Sequence, residues 1–185
     1  MKTKYLALLP VLFLFLQSCR EDPIPKPRAM LRLDYPAQAY RFMESDCPYS
    51  FDYNQMAVPE LREGCNLVLD YREMKGSIFL TYKPVDGNIR ELLSDAQKLS
   101  YEHVVKADNI LEQPYVNAND SIYGMFYEVK GNAASQSQFY VTDSVNHFVT
   151  GSLYFYAKPN YDSILPAAIY LQRDIRRIME TLRWQ

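Results

Sequence analysis

The stretch IYGMFYEVKGNAASQSQFYVTDSVNHFVTGSLYFYA, residues 122–157, decides the architecture. It reads as three strands over 122–131, 137–144 and 148–157, rich in the aromatic and β-branched side chains that suit a half-buried pleated surface. Ala133-Ala134-Ser135 and Val145-Asn146-His147 lie in the connections, which are short enough for antiparallel hairpins. Working outward, LRLDY (31–35) alternates apolar and polar residues as a strand does. YSFDY (49–53), NLVLDY (66–71) and GSIFLTYKPV (76–85) follow, each bounded by proline, glycine or charge. Sixteen tyrosines and nine phenylalanines against six glycines fit a sheet-rich chain.

Two helices separate and close these strand groups. Asp86-Gly87 turns the chain, Asn88 can cap, and Glu91 stands three residues later as in a capping box. Ile89, Leu92, Leu93, Ala96, Leu99, His103, Ala107 and Ile110 then recur every three or four residues, which predicts one apolar stripe. The last helix starts at Asp162 or Ser163, with Pro166 in its first turn. Ile164, Ala168, Leu171, Ile175, Ile178 and Leu182 form its inner face, and Arg173, Arg176, Arg177 and Arg183 lie toward its end. The expected class is α+β: a largely antiparallel sheet of about seven strands with two main helices. The element order is similar to that of the PsbP-like α/β/α sandwich.

The N-terminus sets the compartment. Lys2 and Lys4 precede an uncharged stretch from Tyr5 to Leu16, too short to span a bilayer and interrupted by Pro10. Leu16-Gln17-Ser18-Cys19 resembles the lipobox of bacterial lipoproteins, in which the cysteine thiol receives lipid. Residues 1–18 are therefore expected to be a lipoprotein signal peptide, with Cys19 the site of lipid attachment. Residues 19–28 follow as the lipidated cysteine and a tether, and residues 29–185 as one domain. REDPIPKPR (20–28) has three prolines and five charges, which favours an extended spacer of roughly 25–30 Å. Two or more acyl chains, palmitate among them, would hold the chain to the membrane.

Removal of residues 1–18 leaves 167 residues, with 18 basic and 22 acidic side chains, a net charge of −4. That is one domain's worth of chain, and it gives nucleic-acid binding little support. With Cys19 lipidated, Cys47 and Cys65 remain. In an oxidising compartment such a pair forms a disulfide, and two buried free thiols are the alternative. Two histidines, His103 and His147, without close paired spacing, do not suggest a metal site.

No catalytic residue and no cofactor is predicted, and the chain is not expected to be an enzyme. His103, on an apolar stripe, reads as a core or boundary residue. Asp143, Ser144 and His147 have triad chemistry but are crowded into five positions, and Asp and Ser are ordinary turn residues. No phosphate loop, dinucleotide fingerprint or metalloprotease helix appears. Residues 130–135 (Lys130 to Ser135) could cradle an anion through backbone N–H groups, but a hairpin connection would look the same and is the favoured reading. The arginines of the last helix could face an acidic partner or lipid headgroups, with a solvated face the simpler reading.

Several stretches together resemble one family. These are the lipobox, Pro25-Lys26-Pro27-Arg28, CPYSFDY (47–53), SYEHVVKAD (100–108), YEVKGNAASQSQFYVTDSVNHF (127–148), GSLYF (151–155) and Arg183-Trp184. In order and spacing they resemble the gliding motility lipoproteins GldD of Bacteroidetes, over almost the whole mature chain. The resemblance implies an accessory protein of the gliding and type IX secretion machinery that works by contact with other envelope proteins. It also implies anchorage in the cell envelope, at the outer membrane facing the periplasm. Ser121, Ser144 and Ser163 each stand in an Asp-Ser-apolar triplet that resembles the O-glycosylation site of exported Bacteroidetes proteins. The alternative function is a lipid-anchored module whose aromatic sheet face binds a small ligand or glycan.

Overall fold

The structure, a computed structural model, describes residues 35–101, 107–156 and 160–185. The signal peptide, Cys19, the tether, residues 31–34 and His103 lie outside the described residues. In chain order the elements are β1 (Tyr40–Phe42), β2 (Tyr49–Ser50), β3 (Asp52–Asn54), β4 (Val58–Arg62), β5 (Asn66–Tyr71), β6 (Gly76–Pro84) and α1 (Ile89–Tyr101). They continue with β7 (Ala107–Asn117), β8 (Ile122–Gly131), β9 (Ser135–Thr142), β10 (His147–Phe155), α2 (Tyr161–Thr181) and β11 (Arg183–Trp184).

Seven strands form one sheet in the order β4-β5-β6-β10-β9-β8-β7, and each neighbouring pair is antiparallel. Two meanders, β4–β6 and β7–β10, therefore meet along a single seam, where β10 pairs with β6 from His147↔Pro84 to Phe155↔Gly76. Both edge strands carry a proline, Pro59 in β4 and Pro114 in β7. Proline lacks an N–H and so blunts an edge against further pairing.

The period-2 alternation of a strand explains the layering. Val149 and Leu153 of β10 point to one face and pack with Leu171, Ile175 and Ile178 of α2. Phe148, one residue along, points to the other face and packs with Leu92 and Ala96 of α1. The helices thus cover opposite faces, and the architecture is the α+β class expected from the sequence, layered α/β/α. The short β1–β3 pair lies across α2, joined to it by the bond from Asn54 Nδ2 to Asp174 and by the Asp52–Arg177 ion pair.

The strand number is as expected, but the membership of the sheet is not. The segment read as one strand over 49–53 is two short strands, β2 and β3, and each pairs outside the main sheet. Of the seven strands in the sheet, β4 and β7 are the two that the sequence reading did not include. The helical stripe extended to Ile110 in the sequence, yet α1 is described over Ile89–Tyr101, and Ala107 and Ile110 belong to β7. Pairing with β8 along almost the whole of β7 outweighs a chance match to helical periodicity. The Asn88 side chain accepts from the Asp86 N–H rather than from the helix. Asn160 is the N-cap residue of α2, so Asp162 and Ser163 fall in the first turn and Pro166 inside the helix.

Candidate functional site

One end of the sheet gathers segments far apart in sequence. After α2, Leu182 is fully buried and the chain turns into β11, which pairs with β2 as Arg183↔Ser50 and Trp184↔Tyr49. The Gln185 N–H donates to the Pro48 carbonyl at 3.0 Å. The Trp184 indole N–H donates to the Ser121 carbonyl at 3.2 Å, and Arg183 pairs with Asp120 at 3.1 Å. These contacts fix Trp184 between the C-terminus and the β7–β8 turn.

A ladder of rings runs inward from there. Trp184 stacks on His147 with centroids 5.1 Å apart and planes 16° from parallel. His147 Nδ1 lies 3.0 Å from the Tyr82 hydroxyl. Tyr82 stacks on Tyr49 at 5.8 Å, and Tyr49 on Phe51 at 6.0 Å. The buried Tyr49 hydroxyl donates to the Cys65 carbonyl at 2.7 Å, and burial pushes its pKa up to about 12. Cys47 and Cys65 form a disulfide with Cα atoms 5.6 Å apart, which resolves the alternative left open by the sequence. Offset and tilted aromatic pairs of this kind each contribute about 0.5–1.5 kcal/mol beyond area burial.

The residues with triad chemistry lie here but serve the turn. Asp143 Oδ1 accepts the backbone N–H groups of Val145, Asn146 and His147 at 2.8–3.0 Å. Burial opposes the charged form, but these donors prevail and hold the Asp143 carboxyl below the ordinary aspartate range. The His147 ring nitrogen Nδ1 is directed to Tyr82, so Asp143 does not orient it. Around this end Val116, Val145 and Tyr123 stand 67, 66 and 40% exposed.

A second polar cluster escaped the sequence reading. Asp174 is 1% exposed and accepts hydrogen bonds from Gln38 (2.8 Å), the Tyr40 hydroxyl (2.9 Å) and Asn54 Nδ2 (3.0 Å). The Tyr71 hydroxyl lies against the same carboxylate without a hydrogen bond of good geometry, and burial raises its pKa. Burial also raises the Asp174 pKa, against the lowering effect of its donors. The signal was present: Asp174 falls on the buried arc of α2 between Leu171 and Ile175, where a carboxylate needs donors from elsewhere.

The remaining expected residues take these places. Ser121 and Ser144 are exposed at turn tips with positive φ, and Ser163 is exposed in the first turn of α2. Of residues 130–135, Lys130 and Gly131 end β8, Ser135 opens β9, and 132–134 connect the two strands. Gln136 Nε2 donates to the Ala133 carbonyl and Asn132 Oδ1 accepts the Tyr161 N–H, so the loop is engaged internally. Arg177 pairs with Asp52, and Arg176 lies over the Phe126 ring while donating to Gln113. Among the described residues no group of three or more His, Cys, Asp or Glu side chains is placed to hold a metal ion, and no helix is long and apolar enough to cross a membrane.

Fold and site define an α/β/α protein that is closed by a disulfide and bears an aromatic ladder at one end. A family model described as gliding motility lipoprotein GldD matches residues 20–184. The chain belongs to this family, and is therefore a lipid-anchored protein of the cell envelope connected with gliding motility. No curated protein matches the chain in sequence.

Proposed function

We propose that the protein is a non-enzymatic accessory of the gliding and type IX secretion machinery that works by binding other envelope proteins. Its lipid is carried on Cys19, and the domain faces the periplasm from the outer membrane. The observation that carries this reading is the family match over residues 20–184. The contact surface is the Trp184 end. Three of the stretches that carry the family resemblance (47–53, 127–148 and 183–184) supply four of the five rings of its ladder, with Tyr82 of β6 the fifth, and exposed apolar side chains surround it. Such a rim suits a protein partner, because exposed apolar groups next to anchored aromatics are common in recognition surfaces.

Deletion of the gene in a gliding, secreting strain is expected to abolish colony spreading and reduce secretion of type IX cargo. Normal spreading and normal secretion would overturn the proposal. Complementation with Val145→Glu is expected to restore protein abundance but not spreading, since an exposed substitution there alters stability by no more than about 0.5 kcal/mol.

A further inference from the structure

The chain enters the described domain at Tyr35, whose ring packs on Tyr170 at 5.1 Å. At that point lies an open groove of about 370 Å3, bordered by Tyr35, Gln38, Pro166, Ile169, Tyr170 and Arg173. Its lining contains one cation and no acid. Among the described residues no carboxylate pairs with Arg173, in contrast to Arg177 one turn on, which is paired with Asp52. The neighbouring Asp174 is turned inward and bonded to Gln38, Tyr40 and Asn54, so it does not offset the Arg173 charge at the surface. Ile169, 43% exposed, stands four residues before Arg173 and thus on the same face of α2. An apolar side chain and an unpaired guanidinium one helical turn apart match the boundary between acyl chains and phosphates.

We infer that this groove seats a phospholipid headgroup of the membrane that holds the anchor, so that the stretch of α2 from Pro166 to Arg173 lies on the bilayer. The phosphate meets the Arg173 guanidinium, which suits a planar fork of donors, and Ile169 and Pro166 meet the glycerol and upper acyl carbons. Charge complementarity alone would be weak, since one arginine attracts an anionic surface only modestly. The position of the groove makes it sufficient. Fifteen residues lie between Cys19 and Tyr35, and a short tether converts a weak contact into an intramolecular one at high effective concentration. The inference rests on lipid attachment at Cys19. It also gives the domain an orientation. Trp184 follows the C-terminal end of α2, whereas Pro166 and Ile169 lie in its N-terminal half, so the aromatic ladder is held away from the groove.

The test uses the acylated mature chain in vesicles of phosphatidylethanolamine and phosphatidylglycerol. With Cys47 and Cys65 bonded and Cys19 acylated, Ala37→Cys supplies one reactive thiol for a fluorophore at the lip of the groove. Lys83→Cys supplies one on the exposed side of β6 that faces α1. Nitroxide placed at headgroup depth is expected to quench the label at 37 several-fold more than the label at 83. Arg173→Glu, on the exposed surface, should abolish the difference. Equal quenching at the two positions, or a difference that survives Arg173→Glu, would overturn the groove assignment. Flotation reads the anchor separately: a chain that fails to float with the vesicles overturns attachment at Cys19, and with it the seated domain.

Discussion

Asp174 accepts bonds from Gln38, Tyr40 and Asn54 while almost wholly removed from water, and Asp143 accepts three backbone N–H groups at a turn tip. For Asp174 burial prevails, and its folded pKa is raised above 3.8. A raised value means that the native state holds the proton more tightly than the unfolded chain does. Its contribution to stability is full below 3.8 and is lost as pH rises through the folded value. For Asp143 the folded pKa is lowered, so its contribution is present above 3.8 and lost as pH falls through the folded value. Urea unfolding across pH should therefore show opposite trends. The advantage of the native chain over Asp174→Asn shrinks with rising pH, and its advantage over Asp143→Asn grows; parallel profiles would contradict this account. Asp174→Ala strands several buried donors and should cost about 3 kcal/mol or more in the same measurement. Gly151 has a different constraint. A Cβ there would lie 2.0 Å from a carbon of the buried Phe139 ring. Gly151→Ala should destabilise by about 1–3 kcal/mol through overpacking, and Phe139→Leu should recover part of the loss in a double-mutant cycle.

At the scale of elements, strands with clear alternation or a continuous apolar run were legible, and the two sheet edges were not. β5, β6, β8 and β10 carry the core, so their composition is set by burial. β4 reads VPELR and is mostly exposed, while β7 has polar residues and Pro114 scattered through it. An edge strand is selected to avoid further pairing, which removes the very composition that identifies a strand. Local sequence also misplaced β2 and β3, whose partners, β11 and β1, lie far away or are only a few residues long. The Cys47–Cys65 bond ties β2 to the turn before β5, and β2 in turn holds β11. Reduction should cost about 3 kcal/mol and release Trp184 from its stack on His147. Since the chain has one tryptophan, its emission should shift to the red on reduction. Unchanged emission in reduced, folded protein would show that β11 is held without the bond.

For the whole molecule, the anchor and the ladder were unequally readable. A lipid attachment site must be recognised in an extended chain by a peptidase, so the expectation for Cys19 rests on local information, the four consecutive residues 16–19. The Trp184 end exists only after residues 47–53, 82, 147 and 184 have been brought together, and no local pattern encodes that meeting. The seam between β6 and β10 has a related consequence for how the chain reaches this state. Each meander closes through short turns, whereas the nearest seam pair, Pro84 with His147, is 63 positions apart. Loop-closure entropy must be met there before any seam contact is gained, which places docking of two preformed meanders late on the folding path. Val149→Ala, on the seam, should then accelerate unfolding far more than it slows refolding, as read from the two limbs of a chevron plot. An exported chain of this design emerges from translocation with half its sheet waiting for the other half, and the time spent in that open form is when an envelope chaperone or protease can act on it.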